Sequence, residues 1–305
     1  VTIRVIMPCN QDCTFCFVDR TSPSMSDEAI YAAIDKAIDN RASRISLSGG
    51  EPTRRRNLEA FVARAARGGV EEVELQTNAL LLEDVERVTR LRHAGLNQAV
   101  VSLHAVDIKR YQDITKAGTP EQVITGVRHL LDQGVRVELN VVQNQGNVDH
   151  LSEVVEVVSE RIPEVELLFS ITFIVDGLPR AWESVAVRYS EAVPHLINAM
   201  NLAKAKGVDY RLTGRCGTPP CTWRDNLNYL FDFKLLEVAD KPEPGHRYVD
   251  ACEGCAAKRH CYGVNEAYLA QFGDREFRGI TTDTWSSMER CRVPQSTTLR
   301  ERRPG

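Results

Sequence analysis

Ile45-Ser46-Leu47-Ser48-Gly49-Gly50-Glu51-Pro52 is the stretch from which the fold can be read. A short strand-like run passes without a spacer into two glycines, an acid and a proline, and a helical period opens near Asn57. A strand that turns straight into a helix is one βα unit. Outward from it, strands are expected near Ile3 to Met7, Glu72 to Thr77, Gln98 to Leu103, Val135 to Val142 and Val165 to Phe173. Helices are expected near Ser26 to Asn40, Asn57 to Arg67, Glu83 to His93, Asp149 to Glu160 and Tyr189 to Lys206. The helix opening at Thr119 has the sharpest ends: Thr119 caps, Pro120 takes the first helical position, Gln122 completes a capping box and Gly134 closes it. Six such units predict an α/β protein with a parallel sheet.

The alternation stops after Lys206. Beyond Val208 come Gly-Pro-rich loops, six of the nine cysteines and no regular period, which places a domain boundary at 207 and divides the chain into 1-207 and 208-305. The 305 residues carry 42 acidic and 38 basic side chains, for a formal net charge of -4, so there is no general basic field to grip nucleic acid. With 43% hydrophobic and 26% charged residues the chain reads as globular, and neither a membrane-length apolar run nor a signal peptide is visible. A cytoplasmic location is the default. An odd cysteine count cannot be used up in intrachain disulfides, and reduced thiolates binding metal fit a cytosolic chain better.

Directly after the first strand the chain reads Cys9-Asn10-Gln11-Asp12-Cys13-Thr14-Phe15-Cys16. Short polar spacers let one loop turn three thiolates inward. No fourth cysteine occurs before Cys216, whereas structural zinc and ordinary electron-transfer clusters take four protein ligands. Three ligands leave one position open for a small molecule. The competing reading is a zinc loop that borrows a distant ligand.

Cys9, Cys13 and Cys16 resemble the CxxxCxxC signature of the radical S-adenosylmethionine (radical SAM) enzymes. The resemblance implies a partial (β/α)6 TIM-like barrel with a small C-terminal iron-sulfur cluster domain. It implies a [4Fe-4S] cluster on those three cysteines, with SAM chelating the fourth iron and Phe15 beside the adenine. Gly49, Gly50, Glu51 and Pro52 match the family's GGEP turn, which engages the methionine ammonium, and the acid Glu51 takes part in that contact. In a βα barrel the site gathers at the carboxyl ends of the strands. There Thr77 and Asn78 end the third strand, Ser102 and His104 the fourth, and the fifth carries Asn140. By resemblance Thr77 and Asn78 take the place of a Thr-Asn common in the family and belong to the cofactor site, and Ser102, His104 and Asn140 serve the ribose and carboxylate of SAM; a serine or asparagine at a strand end also has a plain reading as a satisfied loop residue, and His104 as a buried structural histidine. Arg54-Arg55-Arg56 cannot all face one partner and read as a solvated face. The remaining histidines are assigned no role.

The tail carries a second set. Cys252, Cys255 and Cys261 resemble the CxxCxxxxxC element of SPASM and twitch extensions, which hold an auxiliary [4Fe-4S] cluster. The full SPASM pattern has a further cysteine where this chain has Asn265. Structural zinc is the competing reading for the triplet. For the fourth ligand Cys221 is favoured, because Thr218-Pro219-Pro220 presents it from a rigid turn, while SPASM order argues for Cys291. Cys216 is left without a role.

The resemblance implies reductive cleavage of SAM and hydrogen abstraction from a small-molecule or peptide substrate in natural-product or cofactor biosynthesis. An electron donor such as flavodoxin or ferredoxin is implied as partner. No leader-binding domain precedes Cys9, which tilts the expectation toward a small molecule, with a peptide maturase served by a separate leader-binding partner as the alternative. With no basic-aromatic patch for RNA, a tRNA-modifying role ranks lower. A non-catalytic iron-sulfur or zinc scaffold is the alternative of another class.

Overall fold

The computed structural model describes residues 1–171, 182–212, 218–223, 226–229 and 241–290. One sheet holds seven strands in chain order: β1 (Thr2–Ile6), β2 (Arg44–Gly49), β3 (Glu72–Thr77), β4 (Gln98–Ser102), β5 (Arg136–Gln143), β6 (Glu166–Ile171) and β7 (Tyr210–Leu212). Each neighbouring pair from β1 to β6 is parallel. The connections contain α1 (Asp27–Asp39), α2 (Leu58–Arg67), α3 (Val85–Ala94), α4 (Ile108–Thr115), α5 (Pro120–Asp132), α6 (Leu151–Arg161), the single turn α7 (Trp182–Val185) and α8 (Tyr189–Lys206). The capping box at Thr119 is present, with both reciprocal hydrogen bonds.

Among the elements that the sequence reading lacks, two belong to the body of the sheet region. The sheet has a seventh strand, and α4 stands between β4 and α5. Both are too short to show a period: β7 has three residues and α4 eight, and α4 is started by the Asp107 side chain, which accepts from the Arg110 amide at 2.8 Å. β6 is described as Glu166–Ile171; Phe173, where the sequence reading ends this strand, lies outside the described residues.

The two faces of the sheet differ in chemistry. On one, Ile45, Leu47, Leu75, Val101, Leu139 and Phe169 are fully buried, as are Ile30, Ile34, Phe61, Val88 and Val127 of the helices. Each such side chain contributes roughly 1.5–3 kcal/mol of burial. The other face is polar, although a parallel sheet usually carries apolar residues on both. There Ser48 donates to Gln76 at 2.9 Å, Gln98 to Glu138 at 3.0 Å and Ser170 to Asn140 at 2.7 Å. Nearer the strand starts, Arg44 and Arg136 pair with Glu72, and Arg211 with Glu138 and Glu166. Arginines committed in this way stiffen the start of the sheet and leave neutral hydrogen-bonding groups toward the strand ends.

The chain gathers into two compact units, Val1–Val187 with His195–Arg211, and Arg188–Pro194 with Leu212–Gly305. In the second, a two-stranded antiparallel ribbon, β8 (His246–Arg247) and β9 (Val264–Asn265), precedes α9 (Glu266–Phe272), and α10 spans Thr282–Arg290. Its core is aromatic. Tyr189 stacks on Tyr268 with ring centroids 4.1 Å apart, and the Tyr268 hydroxyl donates to Glu276 while accepting from the Tyr189 amide. Among the described residues no helix is long and apolar enough to cross a membrane.

Candidate functional site

The loop after β1 is clamped from three sides. On the α4 side, the Asp12 and Thr14 amides donate to the Thr115 and Ile114 carbonyls at 3.0 and 2.9 Å, and the Gln11 side chain donates to Tyr111 and to the Ala117 carbonyl. From within the loop's own continuation, Arg20 donates to the Gln11 carbonyl and pairs with Asp12. From β3, Asn78 donates to Asn10 at 2.7 Å and approaches the Cys9 sulfur at 4.0 Å. Gln11, Tyr111 and α4 escape sequence reading because they act through contacts between residues about a hundred positions apart, which leave no motif.

Cys9, Cys13 and Cys16 are all partly buried on this loop. Burial first, then the neighbouring Cys16 and Cys9 thiolates, pushes Cys13 up to about 12. Burial also raises Cys9, against the Gln11 amide that donates to its sulfur. Thiols that raise one another's pKa are thiols held close together, and a cationic iron centre supplies the charge that relieves this. The donor set therefore fits an iron-sulfur cluster.

The turn after β2 packs onto this loop. Gly49 has φ +140°, and a Cβ on it would lie 2.0 Å from the Ile6 carbonyl oxygen; one on Gly50 would lie 2.2 Å from that of Met7. The Gly50 and Glu51 amides donate to the Ile6 and Pro8 carbonyls at 2.7 and 3.1 Å. The glycines thus serve the close approach of two chain segments. An ammonium is a donor, so any contact from this turn to one would come from carbonyl oxygens, not from these amides.

Glu51 is held between the β2 and β3 ends. Its carboxylate is 1% exposed and accepts from the Thr53 amide and hydroxyl, the Thr77 hydroxyl and the Asn78 amide. In this state it is a bracket between the β2 and β3 ends, with Pro52 opening the short turn that follows. Thr77 and Asn78 are the far half of that bracket, and Asn78 carries it on to the cysteine loop.

Farther along the strand ends, Ser102 is the register partner of Asn140, whose side chain accepts from Ser170. His104 is wholly buried, which lowers its pKa to about 3, and its Nδ1 accepts from the Val142 amide at 3.2 Å. The ring is therefore neutral, with its proton on Nε2. Phe15 meets it edge-on, centroids 4.7 Å apart, which joins the cysteine loop to the β4 end. The arginine run splits: Arg54 donates to the Cys9 carbonyl at 2.9 Å, Arg55 turns to Met25 and Asp27, and Arg56 is exposed.

In the second unit, Cys221, Cys252, Cys255 and Cys261 line one cavity together with Phe277, Lys258 and Arg278. Cys221 and Cys252 sit in the short turns Pro220–Thr222 and Asp250–Cys252, Cys255 follows the second of these, and Cys261 ends the turn Lys258–His260. Burial pushes Cys221 up to about 12, and the other three thiolates add to it; Cys261 rises to about 11 by burial, with Cys252 and Cys255 adding. Amides of Ile280 and Gly263 donate to the Cys255 and Cys261 sulfurs. Asn265 instead caps α9, accepting from the Ala267 and Tyr268 amides. Cys216 and Cys291 lie outside the described residues. Among the described residues no three His, Cys, Asp or Glu side chains converge tightly enough for a single metal ion. Both thiol sets are spaced more widely than that.

A sequence model of the Radical SAM superfamily matches residues 4–158, just over half of the chain. The probable GTP 3',8-cyclase of Metallosphaera sedula is 30% identical over 166 residues, 52% of this chain and 52% of that protein. The protein of the same name from Saccharolobus islandicus is 34% identical over 154 residues, 48% and 49% of the two chains. The chain spans about half the length of the curated relatives it matches. Among solved structures, "Native anSMEcpe with bound AdoMet and Cp18Cys peptide" aligns with a TM-score of 0.62 at 15% identity over 95% of each chain. Streptococcus suis SuiB aligns at 0.60 and 17% identity over 73% of this chain and 51% of its own. At these identities the likeness is one of fold, that of the partial TIM barrel. Because residues 4–158 take in the cysteine loop, the Gly49–Pro52 turn and the sheet that carries them, the chain belongs to the radical SAM superfamily, enzymes that work with a [4Fe-4S] cluster and SAM.

Proposed function

We propose that this chain cleaves SAM reductively at a [4Fe-4S] cluster held by Cys9, Cys13 and Cys16, and takes hydrogen from a small polar substrate in the biosynthesis of a cofactor or natural product. The carrying observation is the three-thiol loop clamped at the strand ends. When bound, the cluster supplies one electron that splits SAM into methionine and a 5'-deoxyadenosyl radical, which removes a hydrogen atom from the substrate. Every other part falls to the chain's own residues. Phe15 and His104 form a dry wall for the adenine, and the neutral Nε2–H of His104 is a donor that does not titrate near neutral pH. Carbonyl oxygens of the Gly49–Gly50 turn receive the methionine ammonium. Glu51, Pro52, Thr77 and Asn78 hold that turn against the cysteine loop. Ser102 and Asn140 offer hydrogen bonds to the ribose and carboxylate.

The region from 208 onward is, in this reading, a SPASM- or twitch-like domain whose Cys221, Cys252, Cys255 and Cys261 hold an auxiliary [4Fe-4S] cluster. Four thiols about one cavity support it. With four protein ligands no iron is left for substrate, so the auxiliary centre carries electrons or braces the fold. The small-molecule choice draws on the relatives named GTP 3',8-cyclase and on the neutral hydrogen-bonding groups of the polar sheet face. A peptide substrate is the second reading, favoured by the 95% mutual coverage with a peptide-bound structure. Anaerobic reconstitution followed by dithionite and SAM should yield 5'-deoxyadenosine from the wild type and none from Cys13→Ala. A metal-holding scaffold would yield none from either.

A further inference from the structure

Arg54, Arg56, Arg87 and Arg90 line a cleft of the first unit with Thr53, Leu81 and a single carboxylate, Glu59. The chain as a whole is negative, at -4, so this local excess of cations runs against its average. Three of the four, Arg54, Arg56 and Arg87, have no carboxylate partner among the described residues, and Arg90 pairs only loosely. Arg87 donates to the Thr53 carbonyl while its Nε is buried with no hydrogen-bond partner. Arg90 reaches Glu59 and Asp84 only at 3.7 and 3.9 Å. Guanidiniums gathered this way repel one another until an anionic surface approaches. Leu81 is 37% exposed inside the cleft and Val85, at the start of α3, is 47% exposed, which adds the apolar contact that a protein partner uses and a free phosphate does not.

One edge of the cleft touches the candidate active site: Arg54 donates to the carbonyl of Cys9. A partner seated on the arginines therefore lies one side chain from the thiol loop. We propose that this cleft is the docking surface for an acidic one-electron carrier protein that reduces the cluster on Cys9, Cys13 and Cys16. The inference rests on the SAM-cleaving reading above. In the step it serves, the reduced carrier loses one electron and the cluster gains it, with no atom transferred. Steering by the arginines raises the encounter rate and makes it salt-dependent.

The test compares wild type with an Arg56→Glu/Arg90→Glu double variant, neither residue belonging to the site described above. Binding of an acidic flavodoxin is measured by calorimetry at low salt. 5'-Deoxyadenosine formation is driven in parallel by the reduced flavodoxin and by reduced methyl viologen, a small cation that needs no basic surface. Expected are a loss of at least about tenfold in flavodoxin affinity and flavodoxin-driven rate, with a flattened salt dependence and an unchanged viologen-driven rate. Unchanged flavodoxin binding, or an equal fall in both rates, overturns the proposal. So does displacement of the flavodoxin by inorganic phosphate at matched ionic strength, which would mark a small-anion site. Should the wild type bind flavodoxin through these arginines yet make no 5'-deoxyadenosine with either reductant, the SAM-cleaving reading fails and the docking surface stands.

Discussion

The two thiol centres are built differently. At the first, one continuous loop of eight residues carries three cysteines, held from outside by α4, by Arg20 and by the Glu51 bracket. At the second, four cysteines come from three short stretches, Cys221, Cys252 with Cys255, and Cys261, and meet around one cavity. Acidity does not separate them, since burial drives Cys13 and Cys221 alike up to about 12. What differs is the number of thiols and the reach of the clamp: three thiols would leave one corner of a [4Fe-4S] cluster without a protein ligand, and four would not. The second layer around the first loop holds polar side chains in fixed positions, as a site for a small molecule requires.

The comparison can be broken most sharply by deleting one thiol at each centre. Cys13→Ala should lower 5'-deoxyadenosine to background, whereas Cys252→Ala should retain SAM cleavage, measured without substrate. Equal loss in both would mean the centres are not independent. Iron content sharpens the count: about eight irons per chain in the wild type and about four in either variant. A Cys221→Ala protein that still holds about eight would move the fourth ligand to Cys291.

A smaller effect is expected from the bracket. Glu51→Ala strands four donors in a buried place and should cost about 3 kcal/mol of stability by thermal or urea melting. Spectroscopy should show the first cluster loosened and the second untouched. If melting is unchanged, the bracket reading is wrong.

The smallest effect belongs to His104. Its pKa falls from the ordinary 6.5 to about 3 in the folded chain, so the unfolded chain takes up a proton first as pH drops. The stabilisation is complete above about 6.5 and is lost progressively toward about 3. The stability gap between wild type and His104→Gln should therefore narrow below pH 6.5; a gap constant from pH 8 to 5 contradicts a neutral buried ring.

Much of this was legible in the sequence because the physical cause was local. Strand and helix periods placed β1 to β6 and α8, Thr119-Pro120-Gln122 announced its own cap, and the spacing of Cys9, Cys13 and Cys16 announced three thiols on one loop. Other features depend on tertiary partners. Tyr111 and Gln11 meet across 100 positions, Glu51 meets Asn78 across 27, and Arg54 and Arg56 share a cleft with Arg87 and Arg90 of α3. No periodicity or motif encodes those encounters. The short α4 and β7 are invisible for the same reason: their stability comes from what they touch.

Electron-nuclear double resonance with 15N- and 17O-labelled SAM on the reduced enzyme is the most direct test. The account predicts coupling of both labels to the cluster retained in Cys252→Ala, and none to the cluster retained in Cys13→Ala. Absence of coupling at the first cluster with SAM bound, or coupling at the second, would contradict it.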